Sequence, residues 1–162
     1  MAYSNDNHQN NRSNHHDGYN QNQPSQEKPK PAGPFPKDYV DFAEKLMERY
    51  RKEWKKDHKK GLAIISTSKL RNILSLLMDV YNVEVLRTDG TITQDSETKL
   101  QMARIRLAYE AGRDPYGVKQ FINDANLLPW LKEVGTSREK LLHYVHYVEA
   151  LVAYHRFFGG KD

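Results

Sequence analysis

An all-α fold is what this 162-residue sequence predicts: a compact bundle of about five to six helices behind a disordered N-terminal tail. Three observations carry that expectation. Through most of residues 35–162 the apolar side chains recur at three- and four-residue spacing, the period of one helix face. Helix punctuation falls between those stripes: Pro36, Gly112, Asp114-Pro115, Thr136 with Glu139, and Gly159-Gly160. Only one stretch, "VEVLRTDGTIT" at 83–93, reads as strand, and its Asp-Gly turn suits a short hairpin or a loop equally.

The tail comprises residues 1–34. It is Asn, Gln and His followed by a Pro-rich end, with no Leu, Ile, Val or Phe. Such a segment cannot bury enough apolar surface to offset the entropy of ordering. His8, His15 and His16 lie in it and read as solvated polar residues. Its charges cancel, Arg12, Lys28 and Lys30 against Asp6, Asp17 and Glu27, so the net +4 belongs to a single helical domain at 35–162.

The first helix follows Pro36, which suits a first helical position. Its stripe is Tyr39, Phe42, Ala43, Leu46, Met47, Tyr50 and Trp54, and its end is the basic run "RYRKEWKKDHKK" at 49–60. Cations at a helix C-terminus suit the dipole. Helix two starts near Thr67 and fades after Tyr81, with Leu70, Ile73, Leu74, Leu77 and Met78 on its apolar side. Helix three runs from about Asp95 to Ala111, closed by Gly112. It has two apolar faces, Leu100, Ala103, Leu107 and Ala111 on one and Met102, Ile105 and Tyr109 on the other, which predicts a central position.

Asp114-Pro115 reads as an N-cap and first-turn proline, starting helix four, with Val118, Phe121 and Ile122 as its anchors. A short helix follows around Pro129 to Val134. The last helix opens on Thr136 and Glu139 as a capping box and runs to about Phe158. One of its faces is Leu141, Tyr144, Val145, Val148, Leu151 and Val152. The other, His143, His146, Tyr147, Ala150, Ala153, Tyr154 and Phe157, implies a central helix or a contact between copies.

Composition excludes several classes. With no cysteine there is neither a disulfide framework nor a thiolate metal site, which fits a reducing compartment. No run approaches the roughly 18–20 apolar residues that span a bilayer, and no secretion-type apolar segment opens the chain, so a cytoplasmic protein without membrane contact is expected. Phosphate-loop, nucleophile-elbow, zincin and EF-hand patterns are absent, and carboxylates are scattered rather than paired. No enzyme activity, cofactor or metal is therefore expected. The best metal candidate, His143, His146 and Glu149, lacks an evident further ligand and reads as packing or interface side chains.

Two groups of cations stand out. Lys69 and Arg71 occupy the first turn of helix two, where the dipole disfavours them. Lys99, Arg106 and Arg113 fall seven residues apart on nearly one line of helix three, with Arg104 round the helix from them. They form either a ridge following a phosphate backbone or a solvated face neutralised by Glu110.

"TSKLRNIL" (67–74), "RIRLAYEAGR" (104–113) and "YVEALVAYHRFF" (147–158), in this order and spacing, resemble the small helical subunit of the type III-A CRISPR effector, the Csm complex. The resemblance covers about residues 61–158 and implies a small α-helical bundle with no catalytic site of its own. Copies would associate with neighbouring copies as a minor filament beside guide RNA and target RNA, bridging other Csm complex subunits. The family's nucleic-acid-facing basic positions match Lys69, Arg71, Arg104, Arg106 and Arg113, where contact would be to the backbone and independent of base sequence. On that reading Lys69 and Arg71 sit at a helix start because the helix start faces phosphate, cations and dipole favouring the same anion. Two competing readings are a free-standing helical DNA-binding regulator, for which no helix-turn-helix signature is evident, and a metal-dependent nuclease built on His143, His146 and Glu149.

Overall fold

The computed structural model describes residues 33–162. The expectation of a disordered tail falls on residues outside these, apart from Gly33 and Pro34. Six helices follow in order: α1 Tyr39–Lys56, α2 Thr67–Glu84, α3 Gln94–Arg113, α4 Val118–Asp124, α5 Leu127–Val134 and α6 Arg138–Phe157, with a one-turn 3₁₀ helix at Gly61–Ala63. The all-α bundle is thus as predicted.

The α1 stripe buries Ala43, Leu46, Met47 and Tyr50 in the core, with Tyr39, Phe42 and Trp54 at its margin. The centre of the bundle is α6, which packs against α1, α2 and α5. The expectation that α3 is central is corrected. Its first face is buried, but Met102, Ile105 and Tyr109 are 48, 60 and 64% exposed. The helix covers one side of the bundle, on α2, α4 and α5. For the second face of α6, the first of the two expected alternatives, a central helix, is the one found. Tyr147 is fully buried beside Phe35, Phe42 and Trp130 and donates its hydroxyl to the Ala125 carbonyl at 2.9 Å. Of that face only Ala153 and Phe157 are exposed.

Residues 85–93 form a loop rather than a hairpin. A single antiparallel bridge joins Thr91 to Ser137, through Ile92 N–H to Thr136 O and Arg138 N–H to Gly90 O, both 3.0 Å. The buried Glu84 anchors the loop by accepting from the Thr93 backbone (3.0 Å) and hydroxyl (3.1 Å), while Arg138 donates to the Glu84 carbonyl at 2.6 Å. Burial alone would raise the Glu84 carboxyl; hydrogen bonds from Ser96 and Thr93 outweigh it and, with Arg87 nearby, hold the pKa below the usual range.

Two helix starts differ from the reading. Asp114 does not cap α4, which begins at Val118; its carboxylate closes the preceding turn on Gly117 N–H at 2.9 Å. The α6 cap is Ser137, one residue later than expected, and its hydroxyl accepts from Lys140 N–H at 3.3 Å. Ser and Thr both cap, so adjacent candidates are separable only by backbone geometry.

A latch ties the C-terminal residues to the start of α2. Thr67 N–H donates to the Lys161 carbonyl at 2.9 Å, and Gly160 packs so closely on the His155 ring that no side chain fits there. His155 is fully buried, with Nε2 donating to the Leu62 carbonyl at 3.3 Å and Nδ1 3.2 Å from the Thr67 hydroxyl. A carbonyl only accepts, so the ring is the Nε2–H tautomer. Burial pushes its pKa below the ordinary 6.5. The unfolded chain therefore binds the proton first, and stability falls as pH drops below about 6.5 towards the folded pKa. Denaturant melts of the wild type are expected to lose stability through that window, and His155→Gln is expected to flatten the loss.

Candidate nucleic-acid interface

Ser66 caps α2 by accepting the Lys69 N–H at 3.2 Å, which sets Lys69 one turn into the helix. From there its ammonium reaches Asp114 Oδ2 at 2.7 Å, across to the end of α3. Donation by Lys69 and by the Gly117 and Val118 N–H groups holds the Asp114 carboxyl below its usual pKa, so it stays an anion at neutral pH. Arg71 lies 3.8 Å from Asp162. Lys69 in the first turn and Arg71 in the second thus each have a carboxylate partner from a distant part of the chain, a reason for their position that the sequence does not display.

Between α2 and α3 runs a groove of about 740 Å³. Lys69 and Asn72 line it from α2, and Arg106, Tyr109, Glu110 and Arg113 from α3, over an apolar floor that includes Ile73, Leu76 and Leu107. Three of the five predicted residues, Lys69, Arg106 and Arg113, therefore converge. Arg113 is 3.3 Å from Glu110 and its guanidinium lies 5.7 Å from the centre of the Tyr109 ring. Arg106 has no carboxylate within 4 Å among the described residues.

The other two predicted residues lie elsewhere. Arg71 points past the groove to the C-terminal latch. Arg104 is on the opposite side of α3, donating to Gln101 Oε1 at 3.4 Å and lining a second groove of about 480 Å³ with Ile105, Leu128, Pro129 and Lys132. Lys99, the third member of the helix-three line, pairs with Asp95 at 2.7 Å and does not line the first groove. Asp114, Asn72 and Tyr109 were missed by sequence reasoning. Asp114 carried a competing signal as a cap, and its pairing with Lys69 crosses 45 residues of chain.

The groove can hold an anion against three cations, with two carboxylates nearby. Each existing pair is solvent-exposed and worth only about 0–1 kcal/mol. Exchange of a carboxylate for a phosphate oxygen is therefore inexpensive. The histidines of the metal candidate are engaged elsewhere: His143 stacks on Tyr39 with ring centres 5.5 Å apart, and His146 Nε2 is 3.1 Å from the Tyr81 hydroxyl. Among the described residues no three His, Asp or Glu side chains are grouped as a metal site. Nor, among them, is any helix long and apolar enough to cross a membrane.

Comparison with known proteins gives a consistent result. Residues 41–161 match the family model described as Csm2, type III-A. A Streptococcus thermophilus protein named CRISPR system Cms protein Csm2 is 36% identical over 124 residues, 76% of this chain and 93% of that protein. Proteins of the same name from Mycobacterium tuberculosis H37Rv and Enterococcus italicus are 34% and 33% identical, over 77% and 76% of this chain and 94% and 91% of theirs.

Proposed function

The chain belongs to the Csm2 type III-A family, and on that premise we propose that it is a non-catalytic, cytoplasmic small subunit of a type III-A CRISPR effector that supports guide RNA and target RNA by backbone contacts. The family gives the coarser part, a small type III-A effector subunit working with other Csm subunits. The finer part rests on one observation: Lys69, Arg106 and Arg113 converge on a single groove from two helices. Arg71, on the second turn of α2 and outside the groove beside Asp162, would meet the strand where it leaves the groove. Arg104 faces away and takes a different role, reaching RNA or a neighbouring subunit on the other side of α3. Self-association into a minor filament, and the bridging of other subunits, belong to the same proposal; the exposed Ala153 and Phe157 of α6 are available for it.

Phosphates carry no base identity, so binding should be indifferent to sequence. Neutralising about four phosphates of a single strand contributes roughly −3 to the log–log salt slope, a loss near fifty-fold between about 50 and 200 mM salt. Arg106→Ala and Arg113→Ala should each flatten the slope by about 0.7, while Arg104→Ala, off this path, leaves the groove's contribution intact. Stability of the Arg106 and Arg113 variants should change by no more than about 0.5 kcal/mol, because both side chains are exposed. A salt titration of RNA binding checks this, in the assembled complex where high effective concentration makes weak contacts visible. Unchanged slopes in both α3 variants would sink the groove assignment. Failure of the chain to co-purify with other effector subunits and guide RNA would sink the wider reading.

A further inference from the structure

The charge of this molecule is concentrated away from the α2–α3 groove. Residues 45–60 hold eight cations, Lys45, Arg49, Arg51, Lys52, Lys55, Lys56, Lys59 and Lys60, against Glu48, Glu53 and Asp57. The domain from 35 to 162 has a net charge of +4, so the rest of it is close to neutral. The helix dipole accounts for only part of this cluster, because its effect is confined to the last turn. In α1 the last turn contains Lys55 and Lys56 alone. Lys45, Arg49, Arg51 and Lys52 lie upstream of it, and Lys59 and Lys60 lie beyond the helix end. Like charges four residues apart, such as Lys45 with Arg49 and Lys52 with Lys56, weaken a helix. Local helix stability therefore does not explain the arrangement.

The geometry does suit an extended anion. Lys45, Arg49, Lys52 and Lys56 repeat at four, three and four residues, which places them on one line. That line is the outer face of α1, opposite Ala43, Met47 and Tyr50, and all four side chains are exposed. Eleven residues at about 1.5 Å each make it roughly 16 Å long. Arg49 pairs at 3.4 Å with the half-buried Asp124, which also accepts from the Tyr50 hydroxyl, and Lys52 pairs with the exposed Glu48 at 3.0 Å. Lys45, Lys55, Lys56 and Lys59 have no carboxylate within 4 Å among the described residues. No large apolar side chain between 45 and 60 is exposed, so the surface lacks the apolar centre of a protein–protein contact. Beside it, Trp54 and His58, with ring centres 4.8 Å apart, border a cleft of about 460 Å³ that Lys161 also lines, which offers an aromatic edge next to the cations.

We propose that residues 45–60 form a second polyanion site, one that takes the phosphate backbone of an RNA strand independently of the α2–α3 groove. The test is a salt titration of full-length protein with a fluorescent oligouridylate, using Lys45→Gln/Lys52→Gln/Lys56→Gln, three members of the line. Loss of three phosphate contacts flattens the slope by about 2 and lowers affinity more than tenfold at about 50 mM salt. The charge-retaining Lys45→Arg/Lys52→Arg/Lys56→Arg binds like the wild type, and matching circular dichroism spectra show that the fold is kept. The effect also persists in an Arg106→Ala/Arg113→Ala background, so failure of the groove reading and failure of this one are told apart. An unchanged slope and affinity in the glutamine variant overturns the proposal. So does a loss seen only with polyglutamate as probe, which would assign the surface to an acidic protein.

Discussion

Gly61→Ala is expected to destabilise the domain by roughly 3–5 kcal/mol, the combined scale of a left-handed backbone and an overpacked contact. Gly61 has a φ of +58°, in the region that L side chains rarely adopt. An added Cβ would collide with the backbone of α1 at Tyr50 and Trp54. Backbone cannot rotate away as a side chain does, so the 3₁₀ turn and α1 would have to separate. That separation would disturb Leu62 and Ile65, both buried. A loss of this size is a large fraction of the roughly 5–15 kcal/mol that holds a domain together, and should lower the melting temperature by on the order of ten degrees or more. Gly90→Ala is the control: nothing lies within 4 Å of the position its Cβ would take. Thermal melts followed by circular dichroism compare the two; equal midpoints would refute the close approach.

Tyr147 supplies the second large effect. Tyr147→Ala removes a fully buried ring from the cluster with Phe35, Phe42 and Trp130, at an expected cost of about 3–5 kcal/mol. Tyr147→Phe keeps the ring and removes only the hydroxyl, which leaves the buried Ala125 carbonyl without that donor and costs about 1–3 kcal/mol. Chemical denaturation with an unchanged m-value separates a loss of stability from a change in the unfolded state. If either variant alters association between copies while stability stays constant, the residue belongs to an interface and not to the core.

That residue also shows where sequence reasoning reaches its limit. The α1 stripe was legible because one periodic face met one core, and every residue from Tyr39 to Trp54 in that stripe packs inward. In α3 and α6 the sequence displays two apolar faces each. Periodicity states that a face is apolar but not what covers it. For α6 the cover is internal, with α1, α2 and α5 surrounding it; for α3 the second face meets solvent. The same kind of pattern thus marks a central helix in α6 and a peripheral one in α3.

The candidate site was legible in residue type and only partly in position. Heptad spacing placed Arg106 and Arg113 on one line, and the structure keeps them together in the groove. Lys69 joined them through the docking of α2 on α3, which no local pattern encodes. Arg104 is separated from them by half a helix turn, as its spacing already indicated. The carboxylates were the least legible part. Asp114 and Asp162 meet Lys69 and Arg71 only after the chain has folded back over many residues.

The position of α6 at the centre has a consequence for how the chain is made. Its partners α1 and α2 leave the ribosome about a hundred and about seventy residues earlier. Until α6 is synthesised, Met47, Tyr50, Leu70 and Leu77 have no completed core to enter, and their apolar faces stand open to other nascent chains. Each of these contacts must also close a long loop, which slows folding relative to a bundle whose neighbours in space are neighbours in sequence. A ribosome-stalled chain ending before Arg138 should therefore be protease-sensitive throughout, and release of the complete chain should protect α1 and α6 in the same step.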